Sequence, residues 1–75
     1  LTGSIASIDT AFSAEYGNIT VTIVVGGLND YAIQCFRLSG EGADKLAVGD
    51  VITVTGVIKN YKGTIEFDAG CTFTK

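Results

Sequence analysis

Two runs of alternating apolar and polar residues, joined by a short turn, occupy residues 48–67, VGDVITVTGVIKNYKGTIEF. Successive side chains of a strand point to opposite faces, so this alternation predicts strands. Two such runs separated by Asn60-Tyr61-Lys62-Gly63 predict a β-hairpin. A Gly-Asp pair opens the unit, and Gly56 interrupts its first strand at residues 51–59. A glycine inside a strand marks a sharp bend of the kind a small barrel needs at a corner. Strands this rich in Val, Ile and Thr aggregate through exposed edges, which closure into a barrel removes.

The rest of the composition agrees with an all-β chain. Ten glycines and no proline accompany the β-branched residues. Seventy-five residues make one domain, 1–75, with a thin core. An apolar content of 47% argues for a folded globule rather than disorder. No apolar run is long enough to span a bilayer, and the N-terminus, LTGSIASIDT, lacks the charged flank and apolar block of a signal peptide. The chain holds no methionine, so we expect a domain excised from a longer protein.

A net charge of −3 opposes a strongly electrostatic nucleic-acid binder, which is usually basic. Two cysteines, Cys35 and Cys71, fit no zinc spacing, and no histidine is present, so no metal site is expected. A disulfide would place the protein outside the cytoplasm. It would add about 4 kcal/mol by the chain-entropy estimate. The alternative is two buried thiols acting as small hydrophobes, compatible with a cytoplasmic location.

Ahead of the hairpin, residues 3–9 hold Ile5 and Ile8 three apart, a spacing that a β-bulge would reconcile with one inward face. Residues 10–17, TAFSAEYG, read as a loop. The cleanest period of two is in residues 18–25, with Ile19, Val21, Ile23 and Val25 on one face and Thr20 and Thr22 on the other. Residues 26–30, GGLND, are a hairpin connection. In the third strand, 31–38, Ile33 and Cys35 share one face while Phe36 and Leu38 share the other. That calls for another bulge or for burial of both faces. Residues 41–48 offer the one place for a short helix, with Leu46 and Val48 docking on the core and Gly49 ending it. After the fourth strand, the fifth starts at Thr64, breaks at Ala69-Gly70 and resumes at 71–73.

The pattern GDxVxVxG, with Ile52 at its first apolar position, followed by a turn carrying Tyr-x-Gly, is similar to OB-fold domains of the anticodon-binding-like type. The residues that carry the resemblance are Gly49, Asp50, Ile52, Val54, Gly56, Tyr61 and Gly63. Such domains also occur as accessory modules of large secreted bacterial proteins, including extracellular nucleases. The resemblance covers nearly the whole chain and implies a five-stranded Greek-key barrel with one short helix between strands 3 and 4. It also makes the third and fifth strands neighbours, which brings Cys35 and Cys71 together as a disulfide candidate and supports an extracellular or cell-surface location.

The resemblance further implies a ligand face on strands two and three, flanked by the first loop and the last hairpin turn. Its residues here are Phe12, Tyr16, Thr20, Thr22, Gln34, Arg37, Lys59, Asn60, Tyr61 and Lys62. Aromatic rings would stack on bases or sugars, and Arg37, Lys59 and Lys62 would meet phosphates. Each has a plainer role beside this one. Tyr61 and Phe12 would cap the barrel ends, Lys59 and Lys62 would be solvated turn charges, and Tyr16 stands at an exposed tip. Glu66 and Asp68, about 7 Å apart along one strand face, suit a solvent-facing strand better than a metal or an acid–base pair.

No nucleophile has a base at hand, and no glycine loop cradles a phosphate, so we expect no enzyme and no cofactor. Two readings remain. One is a binding module for single-stranded nucleic acid, placed slightly ahead of oligosaccharide. The other is a structural or protein-interaction module that packs against neighbouring domains of a parent protein, with no small ligand.

Overall fold

The computed structural model describes residues 1–26 and 31–75, together with the backbone but not the side chains of Tyr31, Tyr61 and Thr64. Most of the 26–30 connection therefore lies outside the described residues, as does the side chain of Tyr61. Among the described residues there are seven strands: β1 (Thr2–Ser13), β2 (Asn18–Val25), β3 (Tyr31–Leu38), β4 (Val51–Thr55), β5 (Ile58–Tyr61), β6 (Thr64–Phe67) and β7 (Thr72–Thr74). They form one sheet in the order β5-β6-β3-β2-β1-β4-β7. The β3–β6 pair is parallel and the others are antiparallel.

The sheet curls back on itself. Ser39, just past β3, makes a parallel bridge to Thr72. The Ser39 N–H donates to the Cys71 carbonyl at 3.1 Å, and the Phe73 N–H donates to the Ser39 carbonyl at 3.3 Å. The edge strand β7 is thus tied to the end of β3. Inside the curl, Ile5, Val21, Ile23, Cys35, Leu38, Ile52, Val54 and Phe67 are almost fully buried.

The expected count of five strands is replaced by seven, because two long strands are each broken. Residues 51–61 break at Gly56 and Val57, and residues 64–74 break at 68–71. The two breaks face each other. A Cβ on Gly56 would sit 2.7 Å from Cys71 Cβ and 3.0 Å from its Cα, closer than any side chain tolerates. The glycine is there for close approach, as a strand glycine usually is.

The expected short helix is also replaced. Residues 43–45 form a single 3₁₀ turn, ADK, entered through Gly42 in a left-handed conformation. Ala43 and Leu46 dock on the core, whereas Val48 remains 63% exposed. The six residues between Gly42 and Gly49 are too few to sustain an α-helix, so packing of two side chains decides the geometry.

At the N-terminus, β1 runs on to Ser13 through residues read as a loop. Its register shifts after Ile5, so Ile5 opposes Ile23 and Ile8 opposes Val21 on one side of the sheet. Ile5 is buried, while Ile8 stays partly exposed. The β5–β6 turn is tighter than the four residues expected. Tyr61 pairs with Thr64, leaving a two-residue loop in which Lys62 and Gly63 both have positive φ. That is the twist-matched hairpin turn that favours such residues.

The expected Cys35–Cys71 disulfide is not formed: both are buried free thiols. Their sulfurs face different carbonyls, Cys35 Sγ that of Ile33 at 4.0 Å and Cys71 Sγ that of Phe36 at 3.4 Å. Burial, and secondarily the neighbouring Cys71, push the Cys35 thiol up to about 12. A thiol whose pKa is higher folded than unfolded leaves stability intact below about pH 9 and removes it as pH climbs toward 12. Urea unfolding is therefore expected to give a level stability between about pH 6 and pH 8, above the carboxylate range, and a decline above pH 9 that Cys35→Val reduces. Gly56→Ala is expected to lose about 1–3 kcal/mol through overpacking against Cys71. Gly26→Ala, with open space around it, should change stability by less than about 0.5 kcal/mol.

Candidate functional site

The site begins with a miscount between two strands. On β2, Ile19 pairs with Leu38 and Val21 pairs with Cys35, so Thr20 alone opposes both Phe36 and Arg37. This is a β-bulge, and it resolves the mixed face expected for β3. Cys35 and Leu38 both turn into the core, while Phe36 is left half-buried on the outer side and Arg37 exposed. Arg37 carries the extra residue's backbone conformation, with φ +51. Its N–H donates to Thr20 Oγ1 at 3.2 Å, which satisfies the amide that the bulge removes from the ladder.

Around the bulge lies an open groove of about 420 Å³. The end of β1 supplies Thr10 and Ser13, the β1–β2 turn supplies Tyr16, the start of β2 supplies Asn18 and Thr20, and the end of β3 supplies Phe36 and Arg37. The turn at residues 14–17 closes through the Gly17 N–H donating to the Ser13 carbonyl, with Gly17 at φ +71. This geometry holds Tyr16 out at 72% exposure. The Arg37 guanidinium lies over the Phe36 ring, 5.1 Å from its centroid. The floor is thus a ring with a cation on it, and the walls are hydroxyls and one amide.

Next to the groove, on the same outer face, the register lines up a polar row across five strands: Ser7, Thr22, Gln34, Glu66 and Lys59. Asp9 joins it, accepting hydrogen bonds from Ser7 (3.0 Å), Thr22 and Gln34 Nε2 (3.3 Å). These donors, Thr22 foremost, hold the Asp9 carboxyl below the usual aspartate range. At the far end, Lys59 Nζ lies 3.0 Å from Asp68 and 3.5 Å from Glu66. The Asp68 contact, above all, raises the lysine's pKa.

Of the residues expected at a ligand face, the structure brings together Tyr16, Thr20 and Arg37. Phe12 packs against the core. Gln34 and Thr22 belong to the Asp9 row. Lys59 is held by two carboxylates, Asn60 Oδ1 accepts the Gly63 N–H at 2.9 Å within the turn, and Lys62 is exposed at that turn's tip. None of Lys59, Asn60 and Lys62 lines the groove. Thr10, Ser13, Asn18 and Phe36 are additions. The first two fell in a stretch read as loop, and Phe36 had an unassigned face. Among the described residues, no group of three His, Cys, Asp or Glu side chains is placed to hold a metal ion.

An arginine in the left-handed region costs about 1 kcal/mol that a glycine would not. Arg37→Gly is therefore expected to be more stable than Arg37→Ala by about 1 kcal/mol in urea unfolding, since both lose the same side chain and only glycine relieves the backbone. Equal stability of the two variants would mean that the position carries no strain. No protein-family model matches this chain, and no curated protein or solved structure compared with it does either.

Proposed function

We propose that this chain is a non-catalytic binding module on an OB-type barrel and that its groove takes a short oligosaccharide. The barrel reading rests on connectivity. With β4–β5 and β6–β7 each taken as one interrupted strand, the third strand lies parallel to the last and the first lies antiparallel to the fourth. In such barrels the outer face of strands two and three, with the loop between strands one and two, is the usual place for a ligand. The groove occupies that position.

One observation carries the choice of ligand: an exposed Tyr16 and the Phe36 ring flank a lining of hydroxyls and an amide. Sugars present an apolar ring face and a rim of hydroxyls, which an aromatic surface with neutral polar walls complements. Single-stranded nucleic acid, the ligand first expected, has less support. A phosphate-tracking groove needs several cations, and the lining offers Arg37 alone, with Lys59 engaged by Glu66 and Asp68. The lining residues include no carboxylate, thiol or imidazole, which favours binding over turnover.

Exposed Val57, Ile58 and Ile65 on the β5–β6 hairpin favour the second reading, a module that packs against a neighbouring domain. An extracellular location would follow from the Cys35–Cys71 bridge, which is not formed here.

The test is an amide NMR titration of the whole chain with neutral and acidic oligosaccharides and with single-stranded DNA and RNA 12-mers. Saccharide binding is expected to shift Tyr16, Thr20, Phe36 and Arg37, and Tyr16→Ala should weaken it roughly two- to tenfold. Tight nucleic-acid binding that falls steeply with salt, without saccharide binding, would replace this reading with the electrostatic one.

A further inference from the structure

Arg37 combines three properties at the bulge. Its backbone sits at φ +51, a conformation that glycine adopts freely and a long side chain rarely does. Its guanidinium lies over the Phe36 ring in the groove, 5.1 Å from the centroid. It forms no ion pair among the described residues, whereas Lys59 and Lys75 both do. A left-handed backbone that holds, on an aromatic platform, a cation with no ion pair among the described residues is a preorganised anion receptor.

We propose that the ligand is an oligosaccharide bearing isolated carboxylates, a uronate-containing chain, and that Arg37 is the residue that recognises the carboxylate. This rests on the oligosaccharide reading above and adds the ligand's charge to it. The planar fork of a guanidinium matches a carboxylate in two parallel hydrogen bonds. The contact with Phe36 holds the guanidinium over the groove. Tyr16, Ser13 and Asn18 stand around it to meet the sugar ring and its hydroxyls.

Charge elsewhere sets how dense the ligand's anions are. The Asp9 carboxylate lies one residue from Thr10 of the groove wall and is held on the same face by Thr22 and Gln34. The chain as a whole carries −3. One carboxylate at Arg37 is favoured, while closely spaced anions further along the face meet Asp9 and the acidic surface. Sulfated polymers and nucleic acids are disfavoured on the same ground.

The experiment is isothermal titration of the full chain, near physiological salt, with tetramers of galacturonate, glucuronate and mannuronate, each beside its methyl ester. Esterification removes the charge and keeps the sugar. One acid tetramer is expected to bind about tenfold or more tightly than its ester, the size of a charge-assisted hydrogen bond. Arg37→Gly, which suits the backbone and whose fold circular dichroism checks, should bind acid and ester equally, at about the wild-type affinity for the ester. Arg37→Lys should keep only part of the preference. Equal binding of acid and ester by the wild-type chain would overturn the role of Arg37 and leave the oligosaccharide reading standing. Binding of a single-stranded 12-mer more tightly than any uronate would also overturn it. Binding of no saccharide in either form would remove both the oligosaccharide reading and this inference.

Discussion

Everything distinctive about this molecule depends on one unequal pairing, Thr20 against Phe36 and Arg37. A strand with a strict period of two would send Leu38 to the face opposite Cys35. The extra residue reverses that, so the core gains Leu38 and the outer face keeps both Phe36 and Arg37. Bulges also bend the strand that bears them. Here the bend brings the end of β3 round to β7, where Ser39 takes up two main-chain hydrogen bonds. Core, curl and groove are therefore consequences of a single local event.

A second constraint acts on the opposite side of the sheet. Gly56 lets β4 turn away where Cys71 crosses it, at a distance that excludes even a methyl group. Without that bend β4 and β5 would run straight, and β6 would not reach β3. On the β5–β6 hairpin beyond the bend, Ile58 and Ile65 are exposed. The bulge turns side chains over and the glycine turns backbone aside, and each works because the residue opposite makes room.

How far the sequence reveals this varies along the chain. The inward face of β2 is legible because Ile19, Val21 and Ile23 repeat without interruption and end up buried together. The bend at Gly56 is legible too, since glycine inside such a strand has few other uses. The mixed face of β3 announces an irregularity without saying where it falls: periodicity records that two faces have been exchanged, and only the partner strand locates the exchange. The continuation of β1 into residues 10–13 is hidden, because Thr10, Ala11 and Ser13 carry no apolar alternation and owe their strand geometry to pairing with β2. The groove was half visible for that reason. Tyr16 and Arg37 stand out by chemistry, whereas Thr10 and Ser13 matter by position. Lys59 misled for the opposite reason. Its charge is plain in the sequence, and its neutralisation by Glu66 and Asp68 depends on the hairpin register and on how the chain turns after β6.

The bridge between Ser39 and Thr72 has a consequence for how the chain comes to be folded at all. It joins residues almost half the chain apart, and the Leu1 ammonium donating to the Val54 carbonyl joins residues still more distant in sequence. Local contacts can form β1–β2–β3 early, but the sheet has no stable curl until its last strand is in hand. Such non-local topologies fold on the order of milliseconds to seconds. During synthesis the meander waits with the edges of β1 and β3 uncovered until β4 and β6 arrive, and the edge of β4 stays open until residues 72–74 leave the ribosome. The three-residue strand β7, the shortest among the described residues, is thus the latch that ends the chain's most aggregation-exposed interval.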